Sequence, residues 1–201
     1  MRIGIIGTGN VGTALARGFV GAGHDVVLGS RTPDSPPNGL GAVGDEVAVE
    51  PQGQAAEDGE VVVLAVPGGA APVVAADLAG HLRAKPVIDA TNEYPEATAE
   101  RSLAARVADA APDARVVKAF NTIGAERMTA PEIDGERATM FVAGDDRSAR
   151  ETVTTLAADL GFDPLVAGDL GAATHLEHLA RLWIHLSADR GRDIGFRLLR
   201  E

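Results

Sequence analysis

Residues 2–12 read Arg2-Ile3-Gly4-Ile5-Ile6-Gly7-Thr8-Gly9-Asn10-Val11-Gly12, a short apolar run that breaks into a Gly-x-Gly-x-x-Gly turn. Ile3, Ile5 and Ile6 supply a buried strand. Val11, Leu15, Phe19 and Ala22 then recur at helical spacing, and Gly21-Ala22-Gly23 offers a stop. Glycines at this spacing mean little alone, but between a strand and an amphipathic helix they form the phosphate turn of a dinucleotide fold. Gly7 lets the chain leave the strand sharply, Gly9 leaves no side chain between the backbone and a pyrophosphate, and Gly12 lets helix and strand approach closely. Phosphates held over Thr8, Gly9, Asn10 and Val11 would meet free backbone N–H groups and the positive end of the helix dipole.

The next strand, Asp25-Val26-Val27-Leu28-Gly29, ends at Ser30-Arg31-Thr32. An NAD site usually carries Asp or Glu here to hold the ribose hydroxyls. A guanidinium between two hydroxyls suits a 2′-phosphate instead, because arginine offers a planar fork and a permanent charge. The sequence therefore predicts NADP, against the plain alternative of a solvated loop arginine.

At 201 residues the chain is long enough for one well-buried α/β domain and a small appendage. The boundaries expected are 1–168 for the nucleotide-binding domain and 169–201 for a C-terminal helical segment. A net charge of 18 − 29 = −11 argues against nucleic acid or an anionic membrane surface as partner. No apolar stretch approaches a bilayer span, and a core strand opens the chain where a leader would stand, so the reading is a cytosolic protein. The absence of cysteine removes disulfides, thiolate metal sites and cysteine nucleophiles.

Further along, Thr32 to Gly44 is rich in proline and glycine and reads as a loop, followed by a short edge strand over 46–50 and a helix over 52–57. Glu60-Val61-Val62-Val63-Leu64-Ala65-Val66 is a central parallel strand ending in Pro67-Gly68-Gly69. A helix over 71–82 leads to the strand Pro86-Val87-Ile88-Asp89 and the loop Ala90-Thr91-Asn92-Glu93-Tyr94-Pro95. A helix over 97–110 leads to Arg115-Val116-Val117-Lys118-Ala119-Phe120, with Asn121-Thr122-Ile123 at its carboxyl end. Two further strands, 139–143 and 163–167, flank a helix over 148–160, and a last helix spans about 171–188. This alternation predicts a Rossmann-type, doubly wound, mostly parallel α/β sheet. Its ligands sit beyond the carboxyl ends of the strands.

The glycine turn, Leu28-Gly29-Ser30-Arg31, Ala65-Val66-Pro67, Val117-Lys118-Ala119-Phe120-Asn121-Thr122, Phe141-Val142-Ala143-Gly144-Asp145-Asp146 and the Leu176-Glu177…Trp183-Ile184 pattern together resemble the NADPH-dependent F420 reductases, whose relatives include the cytosolic domain of the STEAP metalloreductases. The resemblance covers essentially the whole chain. It implies hydride transfer between the nicotinamide of NADP and the ring of the deazaflavin coenzyme F420, in a homodimer with a small helical C-terminal part. Two departures stand out. Asn121 occupies a point where the typical F420 reductases carry histidine, as it does in the flavin-using metalloreductase domain, which widens the acceptor to FMN or FAD. Asp169 and Thr174 stand where the family tends to place Pro and Arg, which removes a cation from the path of an anionic tail.

Hydride transfer between rings needs alignment and dryness more than acid–base help. Val66, Pro67, Thr91 and Asn92 are the candidates to hold the nicotinamide, with Ala65 and Ala119 beside them, while Phe120, Asn121, Thr122 and Ile123 face the second ring. Asn121 is read as a donor to a carbonyl or ring nitrogen, or else as a turn cap. Lys118 either approaches the ligand or snorkels from a strand end. Reduction of a small carbonyl or imine would need a proton donor, for which only Tyr94 and Lys118 are near; a non-catalytic redox sensor needs none. His175 and His178 are three apart on the last helix, but no metal site is expected. Leu176, Leu179, Ala180 and Trp183 form an apolar stripe suited to the core or to a dimer interface.

Overall fold

The computed structural model describes residues 1–35, 37–93 and 101–199. Its centre is β1 (Arg2–Ile6), flanked by β2 (Asp25–Ser30) and β4 (Val61–Leu64), both parallel to it. The alternation of side chains across a strand sets the two faces. Ile3 and Ile5 enter the core shared with α1 (Asn10–Gly21), while Ile6 enters the opposite core, shared with α2 (Gln52–Asp58). Gly4 also faces α2, where a Cβ would lie 2.2 Å from the Ala55 carbonyl oxygen.

The remaining elements are β3 (Ala48–Pro51), α3 (Ala71–Asp77), α4 (Ala79–Leu82), β5 (Pro86–Asp89), α5 (Leu103–Ala110), β6 (Arg115–Lys118), β7 (Glu132–Ile133), β8 (Glu136–Arg137), β9 (Thr139–Gly144), α6 (Arg147–Asp159), β10 (Asp163–Gly168) and α7 (Ala173–Arg190). The eight-stranded sheet has the order β10-β9-β6-β5-β4-β1-β2-β3. Strands β1 to β6 all run parallel, as the βα alternation predicts. β9 runs antiparallel to β6, and β10 parallel to β9, with a register shift between Val166 and Gly168. No crossover helix joins β6 to β9, only a short 3-10 turn and the β7–β8 hairpin. The chain therefore returns in the opposite sense, whereas β9 and β10, joined through α6, keep one direction.

Several expected boundaries move. The helix over 71–82 is two helices, because Leu78 sits at φ −98°, ψ 2°, outside the α region, with both Leu78 and Leu82 buried. The 97–110 helix is described from Leu103; its expected start over 97–100 lies outside the described residues, as does Tyr94. β4 ends at Leu64 and β6 at Lys118; the Ala65 and Ala119 N–H groups still donate to the Ile6 and Asp89 carbonyls, and the chain turns toward the crevice or away from it only after them.

Phe120 turns away. Its backbone is left-handed, at φ 60°, a costly conformation for a bulky residue. The Phe120 N–H donates to the Met140 sulfur at 3.1 Å, and its wholly buried ring packs edge-on between Phe19 and Phe162, each centroid 6.1 Å away. Among the described residues, no helix is long and apolar enough to cross a membrane. Truncating the central ring, Phe120→Ala, should cost about 3–5 kcal/mol, read as a lower urea midpoint at unchanged slope; an unchanged midpoint would mean that the ring stack contributes nothing.

Candidate functional site

Because β1 to β6 share one direction, their carboxyl ends open along a single edge of the sheet. The glycine turn opens this edge. Gly7 has φ 123°, and a Cβ there would lie 2.4 Å from the Ala65 carbonyl oxygen. A Cβ on Gly12 would lie 2.0 Å from the Gly7 oxygen, so α1 presses directly on the end of β1. Gly9 is different: a Cβ there meets nothing within 4 Å and would project into open space. The first backbone bond of α1 runs from Thr13 N–H to the Gly9 carbonyl, at 2.9 Å. The amides of Asn10, Val11 and Gly12 are thus left unused by the helix, as first-turn amides are, beneath the space where Gly9 has no side chain.

A cavity of about 280 Å³ lies over this turn, lined by Gly7, Thr8, Gly9, Ser30, Arg31, Thr32, Ala65, Val66 and Pro67, with Gly29, Gln52, Ala70 and Val74 completing the wall. The sequence reading missed Gln52. Its signal was the short strand just before it, whose carboxyl end had to open on the same crevice. At the end of β2 the Ser30 Oγ accepts the Thr32 N–H at 3.0 Å, folding the turn over. Arg31 is exposed and makes no hydrogen bond or ion pair with any described residue. The mouth therefore carries one uncommitted guanidinium and no carboxylate at the end of β2.

Beyond Pro67 the crevice meets a closed polar network. Gly68 is packed so tightly that a Cβ would lie 2.2 Å from the Asn92 carbonyl oxygen, which joins the two halves of the site. Asn92 Nδ2 donates to the Asn121 carbonyl at 2.7 Å, and Asn121 Nδ2 donates to Asn92 Oδ1 at 3.1 Å and to the Leu176 carbonyl at 3.2 Å. The Leu176 carbonyl fixes the orientation of the amide, since only an N–H₂ can face it. Both Asn121 hydrogens are thus engaged, which corrects the expectation of a donor to a ligand; the atom left is Oδ1, buried and without a partner.

Three other residues differ from expectation. Phe120 offers the crevice backbone only, because its ring is in the core. Thr122 and Ile123 are buried beneath α7, where the Trp183 ring stands 2.8 Å from the place of a Gly124 Cβ; neither they nor Thr91, Asn92 and Ala119 line the open cavity. Lys118 neither meets the ligand space nor snorkels. It is wholly buried, with Nζ 2.9 Å from Asp89 Oδ2, 2.6 Å from the Thr91 carbonyl and 3.2 Å from Glu177 Oε1. In the α7 stripe Leu176, Ala180 and Trp183 are buried against the chain's own core, with Leu179 half-buried. No group of three or more metal-ligating side chains occurs among the described residues.

Comparison with known proteins bears on this site. Residues 2–93 match the family profile described as NADP oxidoreductase coenzyme F420-dependent. The F420-dependent NADP reductase of Methanothermobacter thermautotrophicus is 32% identical over 222 residues, spanning 98% of this chain and 94% of that protein. An Arthrobacter sp. FB24 protein designated an F420-dependent NADP reductase superposes with a TM-score of 0.90 at 30% identity, covering 100% of both chains. The metalloreductase STEAP3 of Rattus norvegicus is 34% identical over 178 residues, but the chain spans only 36% of that protein. Since Gly9 has room for a methyl group, Gly9→Ala should fold within about 1 kcal/mol of wild type yet bind NADP⁺ at least ~10-fold more weakly; equal affinity in calorimetry would move the pyrophosphate away from this turn.

Proposed function

The chain belongs to the coenzyme F420-dependent NADP oxidoreductase family, and from that we propose that it transfers a hydride between NADPH and a deazaflavin of the F420 type. The observation that carries the cofactor half is the unpartnered Arg31 beside Ser30 and Thr32 at the mouth of the glycine crevice. A free guanidinium meets a 2′-phosphate with paired N–H donors and full charge, and Arg31 forms no ion pair with a described carboxylate. The acceptor half rests on the near end-to-end match to the Methanothermobacter enzyme.

When bound, NADPH would supply a hydride, two electrons with one proton, to the acceptor ring and leave as NADP⁺, with the second proton of the reduced ring coming from water. The chain's residues do the rest. Gly7 to Gly12 receive the pyrophosphate through backbone amides, and Val66 and Pro67 give the nicotinamide ribose an apolar wall. Asn121 Oδ1, the one atom of the asparagine pair without a partner, accepts an N–H from a carboxamide or a ring imide. Lys118 is buried against two carboxylates and does not line the crevice, which withdraws one of the two proton donors considered for reduction of a carbonyl or imine. The reading includes a homodimer over the outer face of α7, where Leu182 stands 47% exposed; a sedimenting monomer would remove that part.

The test mixes NADPH or NADH with F420, FMN or FAD and follows cofactor oxidation. NADPH with F420 should turn over fastest. Arg31→Ala should cut the preference for NADPH over NADH by about 10- to 100-fold, the worth of hydrogen bonds to a charged group. Tight NADPH binding without turnover on any acceptor, or a preference unchanged in the variant, would overturn the proposal.

A further inference from the structure

Lys118 is wholly buried; its Nζ donates to Asp89 Oδ2 and to the Thr91 carbonyl and forms an ion pair with Glu177 Oε1. An ion group of this kind is a poor source of stability, because apolar side chains of the same volume often do as well or better. What it does supply is direction. Thr91 is held twice more, by its N–H at 3.0 Å and its hydroxyl at 2.6 Å, both donating to Asp89 Oδ1. The next residue is Asn92, whose side chain clamps Asn121 and whose carbonyl presses on the Gly68 turn beside the crevice.

The other end of the network is on α7. Glu177 accepts the Leu103 N–H at 3.1 Å and the Ala104 N–H at 3.4 Å, so its surplus charge rests on the start of α5 while Oε1 faces Lys118. The preceding Leu176 carbonyl takes the second Asn121 hydrogen. Two consecutive residues of α7 thus reach the end of β6, the loop that follows it and the start of α5.

We propose that Lys118, seated between Asp89 and Glu177, is a positioning residue for hydride transfer: it fixes Thr91–Asn92, and through them Asn121, so that α7 sets the register of the nicotinamide ring. This rests on the proposed reductase function. Lys118 touches no substrate and gives up no proton. Its effect is on alignment, where a misplacement of about 1 Å costs on the order of 100-fold in rate.

The experiment uses the full chain carrying Asp89→Asn with Lys118→Met, which removes the central pair of charges together, and Glu177→Gln, which keeps an acceptor for the α5 amides. NADPH affinity, emission of the bound dihydronicotinamide, kcat with F420 and the isotope effect of 4-deuterated NADPH are compared with wild type. The double variant should melt near wild type and bind NADP⁺ within about 3-fold, since the glycine turn and Arg31 are untouched. Its kcat should fall ~10- to 100-fold, with a larger isotope effect and reduced emission enhancement. Glu177→Gln should shift the same readouts in the same direction, and it carries the comparison if the double variant does not fold. A folded variant with unchanged kcat and emission overturns the inference, as does one that loses NADPH affinity and kcat together, which would mark a purely structural role. Failure of wild type itself to bind NADPH overturns the reductase reading instead.

Discussion

The backbone of α1 runs so close to the end of β1 that position 12 has no room for even one carbon beyond its Cα. This contact decides what the rest of the sheet is for. It brings the amino end of a twelve-residue helix to the edge where six parallel strands finish, and it aims unused amides at the gap between β1 and β4. The dense two-sided core under the strands holds the backbone in that place, since packed interiors yield little. A larger residue at 12 would separate helix from strand and move the amides, leaving the remaining crevice residues around a displaced centre.

The two halves of the site are built from different materials. Around Gly7 to Gly9 the walls are main chain and small side chains, open to solvent, with one exposed arginine at the rim. Behind the open cavity, Thr91, Asn92 and Asn121 are held by side-chain amides and ions closed over by α7. Anchoring a long charged molecule calls for donors and little else. Setting the angle of a flat ring calls for groups with no freedom of their own, and low-dielectric surroundings make each hydrogen bond of such a group more directive.

Much of this was legible in the chain. The period-two pattern of Ile3 to Ile6, the glycine spacing and the valine run over 61–63 give the strands, the turn and the parallel core directly. The β7–β8 hairpin was also written there, as Asp134-Gly135, the pair that favours a turn with both central residues at positive φ; both are so placed, at 52° and 78°. What could not be read is what depends on partners distant in sequence. Lys118 looks like any strand-end lysine until Glu177, 59 residues later, is folded onto it. Asn121 looks like a free donor until the Leu176 carbonyl consumes its last hydrogen. Phe120 belongs to a motif beside the ligand, yet a single left-handed residue sends its ring to the opposite side. The reversal of β9 was missed because the strand pattern is the same in either direction, and only the missing crossover helix distinguishes them.

That reversal leaves β10 on the rim of the sheet, with Val166 half exposed and a row of peptide groups facing outward. Such a rim is a template on which another extended segment can grow. Pro164 deprives it of one donor, and the slip between Val166 and Gly168 breaks the spacing any incoming strand would have to match. The opposite rim, β3, closes with Pro51. Both margins are thereby blunted, so the molecule can present a broad, strongly apolar sheet without inviting the stacking into fibres to which unprotected β edges are prone.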